Sequence, residues 1–247
     1  MRIPQRFYDH LPRRLPKEGR LSNHAIVFDS TLNNRVDCGF AASLNVTVPF
    51  FVETWIYPFD SGEGGFGRIV DKRTSFSCYM NGAGVEDLKF RIWELAATKD
   101  APSAGGAVSY NRWHHIVGGW DNVIGRVVVY VDTVRFLGPL MAAIDGAPAT
   151  GFTIGNYDIA SRGFNGFIDE VRLVPVAPTQ ALVNESYYRG IAKRELDARL
   201  VVRMEQGAGL TAHDESGYGN NGALLPVATP PAWVDVTKYE LLSETGV

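Results

Sequence analysis

Apolar and polar residues alternate with a period of two along many short stretches of this chain, and turn residues separate each stretch from the next. Such alternation marks half-buried β-strands. The pattern predicts strands over 24–29, 36–39, 50–58, 68–72, 76–80, 88–95, 113–121, 126–131, 152–155, 164–173 and 201–205, with a short last one around Trp233. In 50–58, Phe51, Glu53, Trp55 and Tyr57 fall on one face. In 164–173, Phe167, Val171 and Leu173 are read as one face, and Ile168 breaks the alternation. Asn81-Gly82 predicts a tight turn between two of these strands. The segments 62–67, 96–107 and 213–222 read as loops, and 138–150 as loose apolar chain. A helical period is expected only over 180–188, started by Pro178-Thr179 and stopped by Gly190. Strands this many and this short imply an all-β protein, a two-sheet antiparallel sandwich or jelly roll.

Composition agrees. With 45% hydrophobic and 21% charged residues the chain can build a core, and 26 glycines supply turns. The length suits one large sandwich. A net charge of -3 argues against general nucleic-acid binding. That charge is uneven: Arg2, Arg6, Arg13, Arg14, Lys17 and Arg20 face only Asp9 and Glu18 in residues 1–20, leaving +4 there and -7 on the rest. Pro4, Pro12 and Pro16 disfavour a long helix, so residues 1–22 read as an extended basic arm. Its six cations are candidate docking groups, and a floppy solvated leader is the other reading. Residues 23–235 form the expected domain and 236–247 a tail. No apolar core of a secretory signal and no run of about 20 apolar residues is present. Cys38 and Cys78 read as buried thiols.

Several words, taken in order, resemble the laminin-G-like family of concanavalin A-type jelly rolls. They are Phe51-Val52-Glu53-Thr54-Trp55-Ile56-Tyr57-Pro58, Ile69-Val70-Asp71-Lys72, Arg112-Trp113-His114-His115-Ile116-Val117 with Trp120-Asp121, and Phe164-Asn165-Gly166-Phe167-Ile168-Asp169-Glu170-Val171-Arg172-Leu173. Asp214-Glu215-Ser216-Gly217 and Asn220-Asn221-Gly222-Ala223-Leu224 follow, then Trp233. After Val129-Tyr130-Val131-Asp132 the family usually has a glycine, where this chain has Thr133. The match covers about 24–235. It implies two facing antiparallel sheets and, in most members, binding without catalysis. Trp55, Trp93, Trp113 and Trp120 are expected to fill the ~10 Å space between the sheets.

Concanavalin A-like folds also house glycosidases, whose retaining mechanism needs two carboxyls about 5–5.5 Å apart. No strand offers the E-x-D-x-E spacing that would line them up, and Asp169-Glu170 and His114-His115 are neighbours whose side chains diverge. No catalytic residue is therefore assigned, and the expectation is a protein that is not an enzyme. The turn 214–221 offers the oxygen ligands calcium prefers, so Asp214, Asn220 and Asn221 are candidate ligands for a structural Ca²⁺. The resemblance, to a family whose members often carry such an ion, implies the strand-end Asp29 and Asp169 as further ligands. The alternative is a turn closed by its own Asp and Asn side chains. Tyr110, Tyr157 and Tyr218 lie in loops and are candidate glycan platforms. Two functions stay open, with a hydrolase of unrecognised site kept only for completeness. One is a structural protein of a phage-like virion, in the capsid or tail, docked on other virion proteins through residues 1–22 and made in the host cytoplasm. The other is a calcium-dependent glycan-binding module, a lectin or adhesin, that reaches a host surface.

Overall fold

A computed structural model describes residues 24–82, 87–94, 97–145, 150–159, 161–189 and 197–236. The strands assemble into two eight-stranded sheets in which every ladder is antiparallel. The first sheet holds β1 (His24–Phe28), β3 (Phe50–Pro58), β8 (His114–Asp121), β9 (Arg126–Val131), β10 (Val134–Leu140), β12 (Gly166–Val174), β13 (Leu200–Val202) and β16 (Ala232–Asp235). Its order is β10-β9-β8-β3-β12-β1-β16, with β13 also paired to β12. The second holds β2 (Arg35–Asp37), β4 (Arg68–Lys72), β5 (Phe76–Met80), β6 (Leu88–Glu94), β7 (Ala97–Pro102), β11 (Thr153–Ile154), β14 (Thr211–Ala212) and β15 (Gly222–Leu225), in the order β14-β15-β2-β11-β4-β5-β6-β7.

The alternation seen in the sequence becomes the packing. Phe50, Val52 and Ile56 of β3 enter the core with Phe76, Cys78 and Phe90 of the facing sheet, while Phe51, Glu53, Trp55 and Tyr57 point out the other way. That outer face of the first sheet is covered by α1 (Gln180–Arg189). The Thr179 hydroxyl accepts the amide of Leu182 and caps the helix. Val183, Ser186 and Tyr187, at the i, i+3 and i+4 spacing of one helical face, are buried.

Three expectations need correction. First, 97–102 is a strand. Its sequence, Ala-Thr-Lys-Asp-Ala-Pro, has little β propensity, but it pairs with β6, and the cross-strand partners Arg91 and Asp100 join side chains at 2.7 Å. The segment 134–140 is likewise an edge strand, turned back on β9 by Asp132 and Thr133, which hold φ of 47° and 75°. Second, Phe167 does not share a face with Val171 and Leu173. Glu170 (φ 55°) forms a β-bulge, so that Asp169 pairs with Trp55 while Arg172 pairs with Glu53. Ile168, Val171 and Leu173 enter the core and Phe167 turns outward to Tyr57 and Trp113. Third, of the four tryptophans expected between the sheets, Trp120 alone packs in the main core, joined there by part-buried Trp233. Trp55 stacks on Tyr187 of α1, Trp113 joins the outer cluster of Tyr57 and Phe167, and Trp93 lies beneath Arg91. Cys38 and Cys78 are both buried and unpaired, and burial pushes both thiols far up.

Candidate functional site

The outer face of the second sheet carries an unusual surface. In β6, Phe90 and Ile92 point into the core, which leaves Arg91 and Trp93 outside. In β5, Cys78 and Met80 face the core and Tyr79 faces out. At the start of β4 a register shift between Arg68 and Val70 keeps Arg68 on the outer side. The chain leaves β11 through Gly155, at φ +80°, where a Cβ would collide with the ring of Phe28. This turn brings Tyr157 back over β4. The result is a ladder in which cations and rings alternate. Arg91 lies 5.7 Å from the Trp93 ring and 5.3 Å from that of Tyr79; Arg68 is 4.3 Å from Tyr79 and 5.6 Å from Tyr157; Arg73 is 4.9 Å from Tyr157. Each contact has cation–π geometry.

Acidic groups line the same ladder. Asp100 takes two hydrogen bonds of 2.7 Å from Arg91. Asp71 lies 3.1 Å from Arg68, and Asp158 lies 3.5 Å from Arg73. Asp71 is 1% exposed and accepts no hydrogen bond of good geometry. Burial, reinforced by Asp158 and only partly opposed by Arg68 and Arg73, pushes its carboxyl up to about 7. The buried Ser77 hydroxyl and the Asn156 side-chain amide nitrogen have no hydrogen-bond partner either. Buried polar groups are normally paired, so a cluster of unpaired ones marks a place where water or a ligand completes the bonding. No single strand's sequence discloses this face, because its groups come from different strands, brought into one row by the register Thr153↔Asp71, Asp71↔Ser77, Ser77↔Arg91 and Arg91↔Asp100.

The residues singled out from the sequence fall elsewhere, with one exception. Tyr157 is part of the ladder. Tyr110, 48% exposed, sits in the loop before β8, and Tyr218, 42% exposed, lies against Arg199 and Asp197. The three tyrosines sit on three separate loops. Of the expected calcium ligands, Asp214, Asn220 and Asn221 share one turn, and Asp29 and Asp169 lie apart from it. Both oxygens of Asp214 are occupied, Oδ1 by the amides of Val201 and Ser216 and Oδ2 by the Ser216 hydroxyl and the Asn220 amide. Asn221 accepts the Asp214 amide, and Asn220 bridges Ser43 and Arg199. Asp29 follows the β1 end that pairs with Gly166, whereas Asp214 bridges to Val202, the partner of Val171. These points are five residues apart along β12, roughly 16 Å. Asp169 is buried and its carboxylate accepts the Glu170 amide. The donor set does not fit a calcium ion, and among the described residues no three His, Cys, Asp or Glu side chains are grouped as metal ligands. Arg2, Arg6, Arg13, Arg14, Lys17 and Arg20 lie outside the described residues.

The two histidines diverge as expected. His115 Nε2 lies 2.7 Å from Glu53 under α1, where Arg172 also pairs with Glu53 and reaches the Ser186 hydroxyl. Burial raises the Glu53 carboxyl, but Arg172 and His115 outweigh it and hold it at about 2. Sealed under the helix, this group ties the sheet to α1. His114 Nδ1 lies 2.6 Å from Asp132, and its Nε2 is within 3.1 Å of the Ser109 hydroxyl. The order resembles a hydrolytic triad, but Ser109's own amide donates to the same nitrogen at 3.0 Å. The lone pair a general base would use is shared with the backbone, which suits a clasp on the loop before β8.

The fold and sequence together place the chain. A laminin-G-type family model of the concanavalin A-like lectin/glucanases superfamily matches residues 29–184, and the chain belongs to that superfamily. Among solved structures, one from Bacteroides ovatus, assigned only by inference as a carbohydrate-binding protein, has a TM-score of 0.63 at 19% identity. That likeness covers 81% of this chain and 57% of the other, so this chain spans little more than half of that protein. A native heptameric SAP-like pentraxin from Limulus polyphemus has a TM-score of 0.48 at 18% identity, covering 68% of this chain and 83% of the other. Domains LG4-5 of the mouse laminin alpha1 chain have a TM-score of 0.48 at 12% identity, covering 62% and 42%. The first likeness is one of fold, and the other two carry no further argument. A search of curated proteins finds no match. Among the described residues, no helix is long and apolar enough to cross a membrane.

Proposed function

We propose that this protein is a glycan-binding module and that its ligand lies along the outer face of the second sheet. The observation that supports this reading is the ladder Trp93, Arg91, Tyr79, Arg68, Tyr157 and Arg73, set beside the part-exposed carboxyls of Asp100 and Asp158. A sugar presents an apolar C–H face, which an aromatic ring covers, and a rim of hydroxyls, which need fixed donors and acceptors. A surface with a few placed polar groups among rings meets both needs. Membership of a lectin and glucanase superfamily is consistent with the reading but fixes the fold better than the function.

The test is a glycan array followed by calorimetry of the glycans that bind. Replacing Trp93 or Tyr157 by alanine should weaken binding about tenfold or more with little change in melting temperature, since stacking on one ring contributes on the order of 1 kcal/mol or more. Undiminished binding by both variants would move the ligand off this face. The alternative role in a virion depends on residues 1–22, outside the described ones, and the described fold offers no observation that favours it.

A further inference from the structure

We infer that the ligand of this face is an anionic glycan, one carrying carboxylate or sulfate groups, held by the guanidiniums of Arg68 and Arg73 over the ring of Tyr157. The inference rests on the glycan-binding reading above and narrows it to a ligand class.

Part of the bonding capacity on this face is unused. Arg91 donates two short hydrogen bonds to Asp100, so its planar fork is taken. Arg68 and Arg73 differ. Among the described residues neither guanidinium donates a hydrogen bond of good geometry; each has only an ion-pair contact, at 3.1 Å to Asp71 and 3.5 Å to Asp158. Both nevertheless lie over one ring, which limits where they can point. Arginine matches planar, multi-oxygen anions because its N–H groups are fixed in a fork. Two such forks beside one ring fit a sugar that carries an acidic group.

The polar groups beneath reinforce this. The Asn156 amide nitrogen and the Ser77 hydroxyl are fully buried donors without acceptors, next to Asp71 in the sheet register and in the loop that carries Tyr157. Asp71 and Asp158 would oppose an anion if both were charged and fixed. Asp158 is 28% exposed and only loosely paired, free to yield Arg73 to a ligand. Asp71 is deeply buried, and burial favours its neutral form, which donates a hydrogen bond instead of repelling.

The experiment measures binding by calorimetry at pH 6 for three probes: oligogalacturonate for carboxylate, heparin oligosaccharide for sulfate and a neutral β-glucan oligosaccharide. Wild type is compared with Arg73→Gln and Tyr157→Ala, and thermal melts confirm that each variant is folded. The expected result is binding of one or both anionic probes, weakened at least tenfold in each variant and falling with added salt. Binding of only one anionic probe identifies the acidic group. Binding of the neutral probe alone would overturn this inference and leave the glycan-binding reading standing. No binding of any probe, here and across the array, would overturn both. Anionic binding that both variants leave unchanged would overturn the assignment of the site.

Discussion

Arg68 sits 4.3 Å above the ring of Tyr79 while its Nε lies 3.1 Å from Asp71, so one guanidinium joins a buried carboxyl to the ladder of rings. The carboxyl titrates near 7, above its ordinary 3.8. A raised folded value means the native state holds its proton longer than the unfolded chain. The associated stability is fully present below about pH 4, drains as the pH rises towards 7, and is gone above it. Asp71→Asn should therefore stabilise the protein at pH 8, by at most on the order of 4 kcal/mol, and change little at pH 4. Chemical denaturation at the two pH values checks this. Equal effects at both would show that the fold does not hold the Asp71 carboxyl above its ordinary value. If the ligand is anionic, it should also bind more tightly at pH 6 than at pH 8, and the variant should lose that difference.

Glu53 behaves in the opposite sense. Held at about 2, it stabilises the fold above its unfolded value of 4.5, and that stability is lost as the pH falls towards 2. Glu53→Ala would leave Arg172 and His115 buried without their partner, and a loss of about 3–5 kcal/mol is expected. Urea unfolding measures it. A loss below about 1 kcal/mol would mean that the cluster does not tie α1 to the sheet.

Thr133 holds φ at 75° in the turn between β9 and β10, a conformation that costs a β-branched residue about 1–2 kcal/mol. Thr133→Gly should recover part of this, about 0.5–1 kcal/mol, because glycine is also more flexible when unfolded. The melting temperature should rise by about 1–4 °C. A fall would show that the side chain makes up for the strain.

The turn around Asp214 is closed by its own side chains, so EDTA is expected to leave the melting temperature unchanged. Asp214→Ala removes the acceptor of four donors and should cost about 1–3 kcal/mol. A melting temperature that drops in EDTA and returns with added calcium would restore the ion.

Much of the sandwich could be read from periodicity. β3, β4, β5 and β9 lie where the alternation placed them, since each has one face that must be buried and a side chain every second residue decides which. The edge strands β7 and β10 were not legible, because their pairing comes from a neighbour's open edge and not from their own composition. The break at Ile168 was visible but its meaning was not: only the pairing with β3 shows a bulge that sends Arg172 out to Glu53 while Val171 stays in the core.

By itself the sequence determined the fold class, the strands with strong alternation, the capped helix and the divergence of His114 from His115. Each follows from local geometry along the chain. Only the tertiary structure decided which tryptophans face the core, where the Asp214 oxygens are engaged, and that Tyr157 joins Arg68, Tyr79 and Arg91 in one row. The physical reason is the sheet itself. Hydrogen bonding between strands sets side by side residues that are far apart along the chain, and the candidate site is made of such neighbours.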